Sequence, residues 1–598
     1  MIAVWKLIRR VPSFVWPLLA ALLLVAVPYI GLDYSTTRQL QLALILSLVV
    51  GGLNLSHGYA GELALGQAAM YAAGAYTAGL ASKAGVTDLF LQLLIGGAAA
   101  MLVGLMTGIP GLRLGGWSLA MTSFFLVLVL PDVIAIFNEE TGGREGLSGI
   151  APPTLAGVLL DNTGFYLMIV LVVVLWFAFM RNIVTSRRGV ALRVLRQSPV
   201  LASSLGISVF GTKLSAYALG AIPAGLAGVL FANLDLYISP EAFGFLLATT
   251  VLAASMLGGS TSIYGAVVGA AILQSIASRS TEFQSFALVF TGALLILGGV
   301  LLRGGIARLA RTMVRRLDRA AGLGVTPVQT GGGLPDTPGR ELVVDNVSKA
   351  FGGNRALQSV SFTAPPGKVT ALIGPNGSGK TTLLNVVCGF YRNDDGTITL
   401  DQQRIDRMRS HQVARAGIAR TFQTPNIPEG ITVTEAVAAG RFIPHRVGLL
   451  ATALRLPQFL RARRDDLRIT HAVLDMVGLL GLRDQEAVSL PLGRRRLLEV
   501  ARALIAEPGV LLLDECASGL DEHEIERLAE LIRRIRDAGG TVLLVEHNFR
   551  LVLDLADDIV VLAQGKVIAQ GPPEQIEHDP EVARQYLGLD PAEQGAAE

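Results

Sequence analysis

The stretch KVTALIGPNGSGKTTLLNVVCGF, residues 368–390, decides the fold of the C-terminal half of the chain, because an apolar β-type run leads into GPNGSGKTT and a helical pattern follows. A strand, the pattern GxxxxGK[ST] and a helix in this order define a phosphate-binding loop, or P-loop. Its glycines leave backbone N–H groups free to wrap phosphates, its lysine neutralises the β- and γ-phosphates, and a hydroxyl reaches Mg²⁺. The residues of this loop are Gly374, Pro375, Asn376, Gly377, Ser378, Gly379, Lys380, Thr381 and Thr382. The sequence therefore predicts an α/β nucleotide-binding domain that takes ATP and Mg²⁺.

A second apolar run, Val510–Leu513, ends in the acidic pair Asp514 and Glu515. A carboxylate at the end of a buried strand suits Mg²⁺, so Asp514 is a candidate metal ligand. The adjacent Glu515 is then placed to act as general base for the attacking water. An acidic pair after a strand is by itself also compatible with a solvated turn.

The charge distribution divides the 598 residues into two parts. Residues 1–320 contain 20 Lys and Arg and 12 Asp and Glu. The remaining 278 residues contain 30 Lys and Arg and 35 Asp and Glu. With a hydrophobic share of 51% and a mean hydropathy of +0.52, this favours a membrane part followed by a water-soluble part. We predict a membrane domain at residues 1–320, a flexible linker at 321–339 and a soluble domain at 340–598. The soluble domain lacks the basic cluster that nucleic acid requires, so no nucleic-acid partner is expected.

Ten transmembrane helices are predicted from uncharged intervals, since about 20 residues cross a hydrocarbon core of ~30 Å. The intervals are residues 11–32, 39–61, 63–82, 89–112, 114–131, 162–180, 214–234, 242–278 and 283–302. The interval 242–278 is too long for one helix and must fold back, most simply within Leu257–Ala266. Basic residues at the N-terminus, at Arg181–Arg196 and at Arg303–Arg319 predict that both ends face the cytoplasm.

No charged residue lies in the middle of a predicted span, which indicates that energy is supplied from outside the membrane part. Glu62 and Asp132 lie at span boundaries, where an interfacial position and a role in transport are both open. The Gly- and Ala-rich stretches 66–79 and 222–230 favour close helix packing, with a translocation pathway as the alternative.

The soluble domain resembles the ATPases of ABC transporters from Glu341 to about Leu589, because further motifs follow the P-loop in that family's order. The resemblance implies adenine stacking by Phe351, Mg²⁺ and water contacts by Gln423, Mg²⁺ binding by Thr381 and Asp514, general-base catalysis by Glu515 and a γ-phosphate contact by His547. The loop Ser518–Asp521 is similar to the loop that two such ATPases exchange. Taken singly, His547 is also compatible with a surface histidine and Phe351 with a core residue.

One motif departs from the family. The signature sequence, usually LSGGQ before a helix, reads LPLGR at Leu490–Arg494, so Gly493 is retained while Pro491 replaces the serine. Proline is tolerated in the first turn of a helix, where its missing N–H would be unpaired anyway, but it supplies no hydroxyl donor. Because the resemblance implies that each signature contacts the ATP held by a partner ATPase, we expect two unequal ATP sites.

The membrane part resembles the permeases of branched-chain amino acid importers across roughly residues 35–300. The resemblance rests on long patterns at Gly51–Leu80, at Thr141–Ile150 and within residues 205–270. It implies a permease fused to its ATPase, working in the lipid bilayer of the bacterial cytoplasmic (inner) membrane. A second permease, a second ATPase and a periplasmic substrate-binding protein are the implied partners.

Branched-chain amino acids are the expected substrates. Importers of urea or short amides share these patterns and remain an alternative. An ATP-driven exporter or lipid flippase and a channel gated by an ABC-type ATPase are alternatives of other classes.

The basic segment Ser186–Ile207 lies in a predicted cytoplasmic loop after the sixth span. The resemblance implies that this segment, with Ser186, Gly189 and Gly206, is the coupling segment that docks on an ATPase near the loop of Gln423. A basic surface helix that only sets orientation is the alternative.

Overall fold

A computed structural model describes residues 2–12, 15–277, 286–302, 304–322, 337–443 and 447–582. It divides into two compact units, Met1–Thr185 with Phe210–Gly324 and Ser186–Val209 with Val325–Glu598. The segment 186–209 therefore belongs to the second unit, although in sequence it interrupts the first. Arg303, the predicted linker residues 323–336 and the residues from 583 onwards lie outside the described residues.

The first unit is almost entirely helical. Its helices are α1 (Ile2–Arg10), α2 (Val15–Ala26), α3 (Tyr34–Leu53), α4 (Gln67–Lys83), α5 (Leu89–Leu114), α6 (Ser118–Ile136), α7 (Asn138–Thr141), α8 (Asn162–Val184), α11 (Val209–Asp235), α12 (Phe245–Gly258), α13 (Ile263–Ala277), α14 (Ala287–Ile296) and α15 (Gly305–Ala320). A two-stranded ribbon, β1 (Thr154–Leu155) and β2 (Val158–Leu159), lies between α7 and α8. Within the described residues, seven helices are long and apolar enough to cross a membrane, and two shorter apolar helices accompany them. Eight of the nine predicted intervals overlap one of these helices. The interval 63–82 holds α4, which is not among them, so the number of ten spans stays a prediction.

Small residues bring the helices of this unit into backbone contact. A Cβ atom on Gly74 of α4 would lie 2.1 Å from the carbonyl oxygen of Gly225 on α11. A Cβ atom on Gly228 would lie 2.1 Å from the carbonyl oxygen of Tyr71. The two Gly- and Ala-rich stretches thus pack against each other, as close-packed membrane helices require.

Two interruptions of the helices meet in the first unit. The interval 242–278 folds back at residues 259–262, inside the predicted window. Helix α3 continues as a π-helical turn, Asn54–Tyr59, before α4 begins. The Asn54 amide donates to the carbonyl oxygen of Ser262 at 3.1 Å, and the Tyr59 hydroxyl donates to that of Thr261 at 2.9 Å.

The two boundary carboxylates are paired. Glu62 forms an ion pair with Lys213, and both side chains are largely buried. Asp132 lies 3.3 Å from Arg144 in an exposed ion pair. Neither carboxylate is therefore isolated among apolar side chains.

The second unit is built on two sheets. Its strands are β3 (Leu342–Phe351), β4 (Asn354–Ala364), β5 (Val369–Ile373), β6 (Asp395–Leu400), β7 (Gln403–Arg404), β8 (Ile418–Arg420), β9 (Val510–Asp514), β10 (Thr541–Val545), β11 (Asp558–Ala563) and β12 (Lys566–Gly571). One sheet has the order β12-β11-β5-β10-β9-β8 and the other β4-β3-β6-β7. Strands β11, β5, β10, β9 and β8 run parallel, and β12 pairs antiparallel to β11. Because β5, β9 and β10 are buried along their whole length, they form the centre of the core, as continuous apolar runs predict.

Helices cover this core and carry the functional loops. They are α9 (Arg187–Gln197), α10 (Pro199–Ser204), α16 (Lys380–Val387), α17 (Ser410–Ala416), α18 (Val433–Ala438), α19 (Leu449–Ala453), α20 (Pro457–Met476), α21 (Leu492–Leu504), α22 (Glu522–Asp537), α23 (Phe549–Leu555), α24 (Pro573–Glu577) and α25 (Pro580–Val582). The last predicted linker residues also pack here, since Thr337 is buried and a Cβ on Gly339 would lie 1.9 Å from the carbonyl oxygen of Gly539.

Candidate functional site

The P-loop connects β5 to the N-terminus of α16. Gly377 and Gly379 have φ values of +82° and +108°, which residues with a Cβ rarely adopt. A Cβ on Gly379 would also lie 2.6 Å from the carbonyl oxygen of Ala356. Glycine is therefore required both by the backbone conformation and by the close approach of β4.

Lys380 begins helix α16 and is buried. Its ammonium group donates to the carbonyl oxygens of Gly374 at 2.6 Å and Pro375 at 3.0 Å, inside the loop. Burial lowers the pKa of Lys380, whereas the nearby carboxylates of Glu515 and Asp514 act in the opposite direction. A phosphate in the loop would act in the same direction as these carboxylates, because its negative charge also stabilises the charged ammonium form of Lys380. Ser378 is buried, whereas Asn376, Gly377 and Thr381 are exposed at the mouth of the loop.

The predicted catalytic residues come together around Glu515. Its carboxylate accepts a hydrogen bond from the Gln423 amide at 2.7 Å, and its other oxygen lies 2.8 Å from Nε2 of His547. Glu515 has a φ of +47°, a left-handed conformation that costs free energy in a residue with a side chain. The backbone N–H of Glu515 donates to the carbonyl oxygen of Val545 at 2.8 Å, which holds this conformation in place.

Topology explains why these residues meet. Strands β5, β8, β9 and β10 are parallel, so their carboxyl ends lie at one edge of the sheet. The P-loop, Gln423, Glu515 and His547 follow shortly after those ends, and Asp514 is the last residue of β9. Ligands of parallel α/β sheets bind at this edge.

Asp514 is the last residue of β9 and is buried. One of its carboxylate oxygens accepts from the Arg420 guanidinium at 2.8 Å, and Arg420 also donates to Asn385 at 2.7 Å. Together with the Thr381 hydroxyl and the Gln423 amide oxygen, Asp514 offers the oxygen donors that Mg²⁺ prefers. Among the described residues, no group of three or more His, Cys, Asp or Glu could hold a metal ion. The oxygen ligands offered by Asp514, Thr381 and Gln423 fit a Mg²⁺ site that phosphate oxygens would complete.

Phe351 is the last residue of β3, and 44% of it is exposed, so the core alternative is wrong. The Tyr391 ring packs edge-on against it at 5.2 Å, and the Lys349 ammonium lies 5.4 Å from its ring centre. An exposed aromatic ring with such support suits stacking on a base. Tyr391 was not predicted, since a single tyrosine after the P-loop helix has no distinguishing pattern.

The signature sequence begins helix α21. Pro491 is the exposed N-cap rather than a first-turn residue, and no side chain caps the helix there. Gly493 is buried, and a Cβ on it would lie 2.8 Å from the Glu524 carboxylate and 3.1 Å from the carbonyl oxygen of Gly519. The start of the signature helix therefore packs directly on the loop Ser518–Asp521, whose Asp521 caps α22.

Two charged residues of α21 were missed by sequence reasoning. The Glu499 carboxylate, 2% exposed, accepts from the backbone N–H groups of Phe422 at 3.0 Å and Asn426 at 2.7 Å. It also pairs with Arg502 at 2.7 Å, and Arg502 donates to the carbonyl oxygen of Asn426 at 3.1 Å. This pair, here called the Glu499 clamp, fixes the loop that contains Gln423. The available signal was a Glu and an Arg three residues apart at otherwise apolar positions of a helix.

The segment 186–209 packs against the same loop. Its helices α9 and α10 form an apolar cluster with two ATPase aromatic residues and one alanine, whose members are Val190, Ala191, Val194, Leu195, Leu201, Ala202, Leu205, Ile207, Val209, Phe422, Ala439 and Phe442. Phe422 directly precedes Gln423, so the segment contacts the residue next to a predicted catalytic group. Ser186 caps α9 by accepting from the backbone N–H of Arg188, and Gly189 is buried within that helix.

Polar contacts complete the packing of this segment. The Asn426 amide donates to the Ser198 hydroxyl at 2.9 Å, and the backbone N–H of Glu429 donates to Gln197 at 2.6 Å. Arg193 pairs with Glu435 at 2.7 Å, and Arg187 pairs with Asp466. These arginines bind carboxylates instead of forming a solvated basic face, which argues against the surface-helix alternative.

Gly206 lies near the end of the segment. Its backbone adopts the left-handed conformation, with φ of +73°. A Cβ on Gly206 would lie 2.7 Å from the Ile443 side chain. The Arg415 guanidinium donates to the carbonyl oxygen of Gly206 at 2.8 Å. Glycine is required at this position for conformation and for space.

Comparison with known proteins gives two family matches. Residues 35–298 match the family described as branched-chain amino acid transport system / permease component, and residues 357–518 match the ABC transporter family. The high-affinity branched-chain amino acid transport ATP-binding protein LivG of Escherichia coli (strain K12) is 39% identical over 248 residues, which are 41% of this chain and 97% of LivG. The lipopolysaccharide export system ATP-binding protein LptB of Haemophilus influenzae is 34% identical over 247 residues, 41% of this chain and 97% of LptB. A crystal structure of a nucleotide-free ATP-binding cassette from an ABC transporter, 30% identical, aligns over 42% of this chain and 100% of its own, with a TM-score of 0.37.

The nucleotide site and the sheet that carries it define an ATP-binding, ATP-hydrolysing ABC transporter domain. More closely, the chain belongs to the branched-chain amino acid transport family of ABC proteins, and it joins that family's permease component to an ATP-binding component.

Proposed function

We propose that this chain is the permease and ATPase subunit of an importer that takes up branched-chain amino acids across the bacterial cytoplasmic membrane. The observation that carries the proposal is the permease family match at residues 35–298, in one chain with the assembled nucleotide site. The ATPase half alone does not decide the direction of transport, because it is similar to LivG and to an export protein alike.

In the proposed reaction the P-loop amides and Lys380 hold the phosphates of ATP. The Glu515 carboxylate accepts the proton of the attacking water, and its hydrogen bonds to Gln423 and His547 orient it for that step. Mg²⁺, when bound with ATP through Thr381, Gln423 and Asp514, neutralises charge on the phosphates.

Coupling is proposed to pass through the loop that contains Gln423. Phe422 packs on the segment 186–209, and Asn426 donates to Ser198 of that segment. A displacement of the segment would therefore move the backbone on both sides of Gln423. The segment thus contacts the residue that directly precedes Gln423.

The working complex is proposed to include a second permease, a second ATPase and a periplasmic substrate-binding protein. The second ATPase is needed because each ATP would be held between one P-loop and the partner's signature. Urea or short amides are the alternative substrates, and export or channel gating the alternative classes.

The test is ATPase activity and solute uptake in vesicles that contain the complete complex. We expect a receptor loaded with leucine, isoleucine or valine to stimulate ATPase and to permit uptake, and Lys380→Ala to abolish both. Lys566→Ala, at an exposed position of β12, is the matched control. Stimulation only by a urea or amide receptor would overturn the substrate, and transport without any receptor would overturn the importer class.

A further inference from the structure

Helix α15 (Gly305–Ala320) separates its side chains into two faces. At 100° per residue, one half of the helix carries Ile306, Leu309, Ala310, Met313, Val314, Leu317 and Ala320. The other half carries Arg308, Arg311, Thr312, Arg315, Arg316 and Asp318. Such a separation of apolar and basic residues is typical of helices that lie in a membrane surface.

The contacts of α15 hold it along one border of these faces. Arg311 donates to the Thr261 hydroxyl at 3.1 Å, and a Cβ on Gly259 would lie 3.0 Å from the Ala307 side chain. At the other end, Asp318 accepts from the Trp5 indole at 2.9 Å. This orientation leaves Leu309 58% exposed and Met313 65% exposed.

Helix α1 shares this arrangement. Its Arg9 side chain donates to Asp318 at 2.8 Å. The Asp318 carboxylate of α15 therefore binds both Trp5 and Arg9 of α1. Ile2, Val4 and Leu7 of α1 are exposed. Two helices from opposite ends of the membrane unit thus present apolar side chains beside a basic surface.

We propose that α15, paired with α1, lies in the interface of an anionic lipid bilayer. The position of α15 in the chain supports contact with the bilayer, because α15 directly follows the apolar helix α14 and its π-helical extension Leu297–Leu301. Gly304 and Gly305, with φ values of +90° and +67°, turn the chain between this extension and α15.

Charge complementarity selects the lipid. Four arginines and one aspartate are described on the polar half of α15, so this half is basic. Anionic headgroups attract such a surface, while the apolar half inserts about 5 to 10 Å into the boundary of headgroups and acyl chains. The proposal concerns the membrane unit alone and does not depend on the transported substrate.

The test uses the full chain in lipid nanodiscs, with and without phosphatidylglycerol, and a fluorophore on Met313→Cys. The buried Cys388 and Cys516 are replaced by alanine so that only the introduced thiol reacts. Thr312→Cys, exposed on the basic half, is the matched control. We expect a nitroxide on the shallow part of a lipid chain to quench the label at 313 severalfold more than the label at 312, and more strongly with phosphatidylglycerol.

A charge variant separates attraction from insertion. Arg315→Gln with Arg316→Gln should remove the effect of phosphatidylglycerol, whereas Arg461→Gln with Arg463→Gln on the exposed face of α20 should not. Equal quenching at 312 and 313 would overturn the proposal. Protection of the label at 313 from both lipid nitroxide and aqueous iodide only when partner subunits are added would overturn it in favour of a protein contact.

Discussion

The P-loop end and the signature end of the ATPase differ in how firmly their functional residues are held. At the P-loop end, Lys380 is buried inside its loop and Glu515 is hydrogen-bonded by two other predicted catalytic residues. At the signature end, Pro491 is exposed and no side chain caps the helix there, while Leu490 and Gly493 are buried. The difference teaches that groups acting on this chain's own nucleotide are fixed by internal contacts. Groups that would act on a partner's nucleotide are fixed only where they pack on this chain.

The largest expected effect tests the P-loop end. Glu515→Gln keeps the shape of the side chain but removes the general base, so ATP should bind while turnover falls at least ~100-fold. ATPase activity and equilibrium binding of ATP measure the two quantities separately. The control is Glu526→Gln, the same change at an exposed position of α22. Turnover within a few-fold of the parent would contradict the role of Glu515.

The second prediction tests whether the two ends are mechanically linked by the Glu499 clamp. Glu499→Gln leaves Arg502 buried without its charge partner. Such a change typically lowers the free energy of unfolding by about 3–5 kcal/mol. We expect a lower unfolding temperature and a fall in kcat larger than any change in the KM for ATP, because Gln423 is no longer held.

A double-mutant cycle distinguishes the clamp from general destabilisation. Adding Arg502→Gln to Glu499→Gln should restore part of the stability, since neutral partners replace the buried charge. Asp554→Asn, which breaks the exposed pair with Arg533, should change stability by less than about 1 kcal/mol. Loss of kcat in proportion to stability alone, in every variant, would show that Glu499 has no positioning role.

The third prediction concerns the segment 186–209, which contacts the P-loop end through Phe422. Gly206→Asp introduces a Cβ where Ile443 and a positive φ leave no room, so the segment should detach from its site. We expect basal ATPase to persist and its stimulation by the loaded receptor to disappear.

Gly481→Asp is the matched control, because a Cβ at Gly481 would meet nothing within 4 Å. Stimulated ATPase and uptake are measured on the same vesicles. If both survive in Gly206→Asp, the segment does not transmit the signal.

The parts of this site that sequence could predict are those with a local chemical pattern. The P-loop is one continuous stretch, and Glu515 follows directly on an apolar run, so residue order alone indicates their chemistry. Resemblance added Gln423 and His547, and the parallel strands then explain why they lie near Glu515.

Other residues could not be predicted, because their roles depend on partners far along the chain. Glu499 binds backbone groups 73 and 77 positions away, and no pattern in α21 specifies those partners. The sequence explains the arginines of the segment 186–209 as an orientation signal, yet Arg193 pairs with Glu435, 242 positions away. The number of spans also stays a prediction, since α4 with 17 residues and α13 with 15 residues are not among the seven long apolar helices.

The smallest expected effect lies at the signature end. A hydroxyl donor to a phosphate oxygen contributes roughly 1.5 to 3 kcal/mol, or about 10- to 150-fold in rate if it acts only in the transition state. Pro491 lacks that hydroxyl, so the ATP site completed by this signature should already be slow. Removing the partner ATPase's general base, which serves that slow site, should therefore reduce total ATPase much less than Glu515→Gln does.

Pro491→Ser is the reciprocal change, because a serine at this N-cap would supply the hydroxyl and also cap α21. The cap alone should stabilise the domain by about 0.5 to 2 kcal/mol, less the backbone entropy that proline saves. A rise in ATPase without a matching rise in unfolding temperature would assign the gain to catalysis, and a rise in unfolding temperature alone would assign it to the helix cap. Equal losses from the two glutamate changes, together with no gain from Pro491→Ser, would show that the two ATP sites are equivalent. The packing of Gly493 on the loop Ser518–Asp521 would then be the part of the signature that matters.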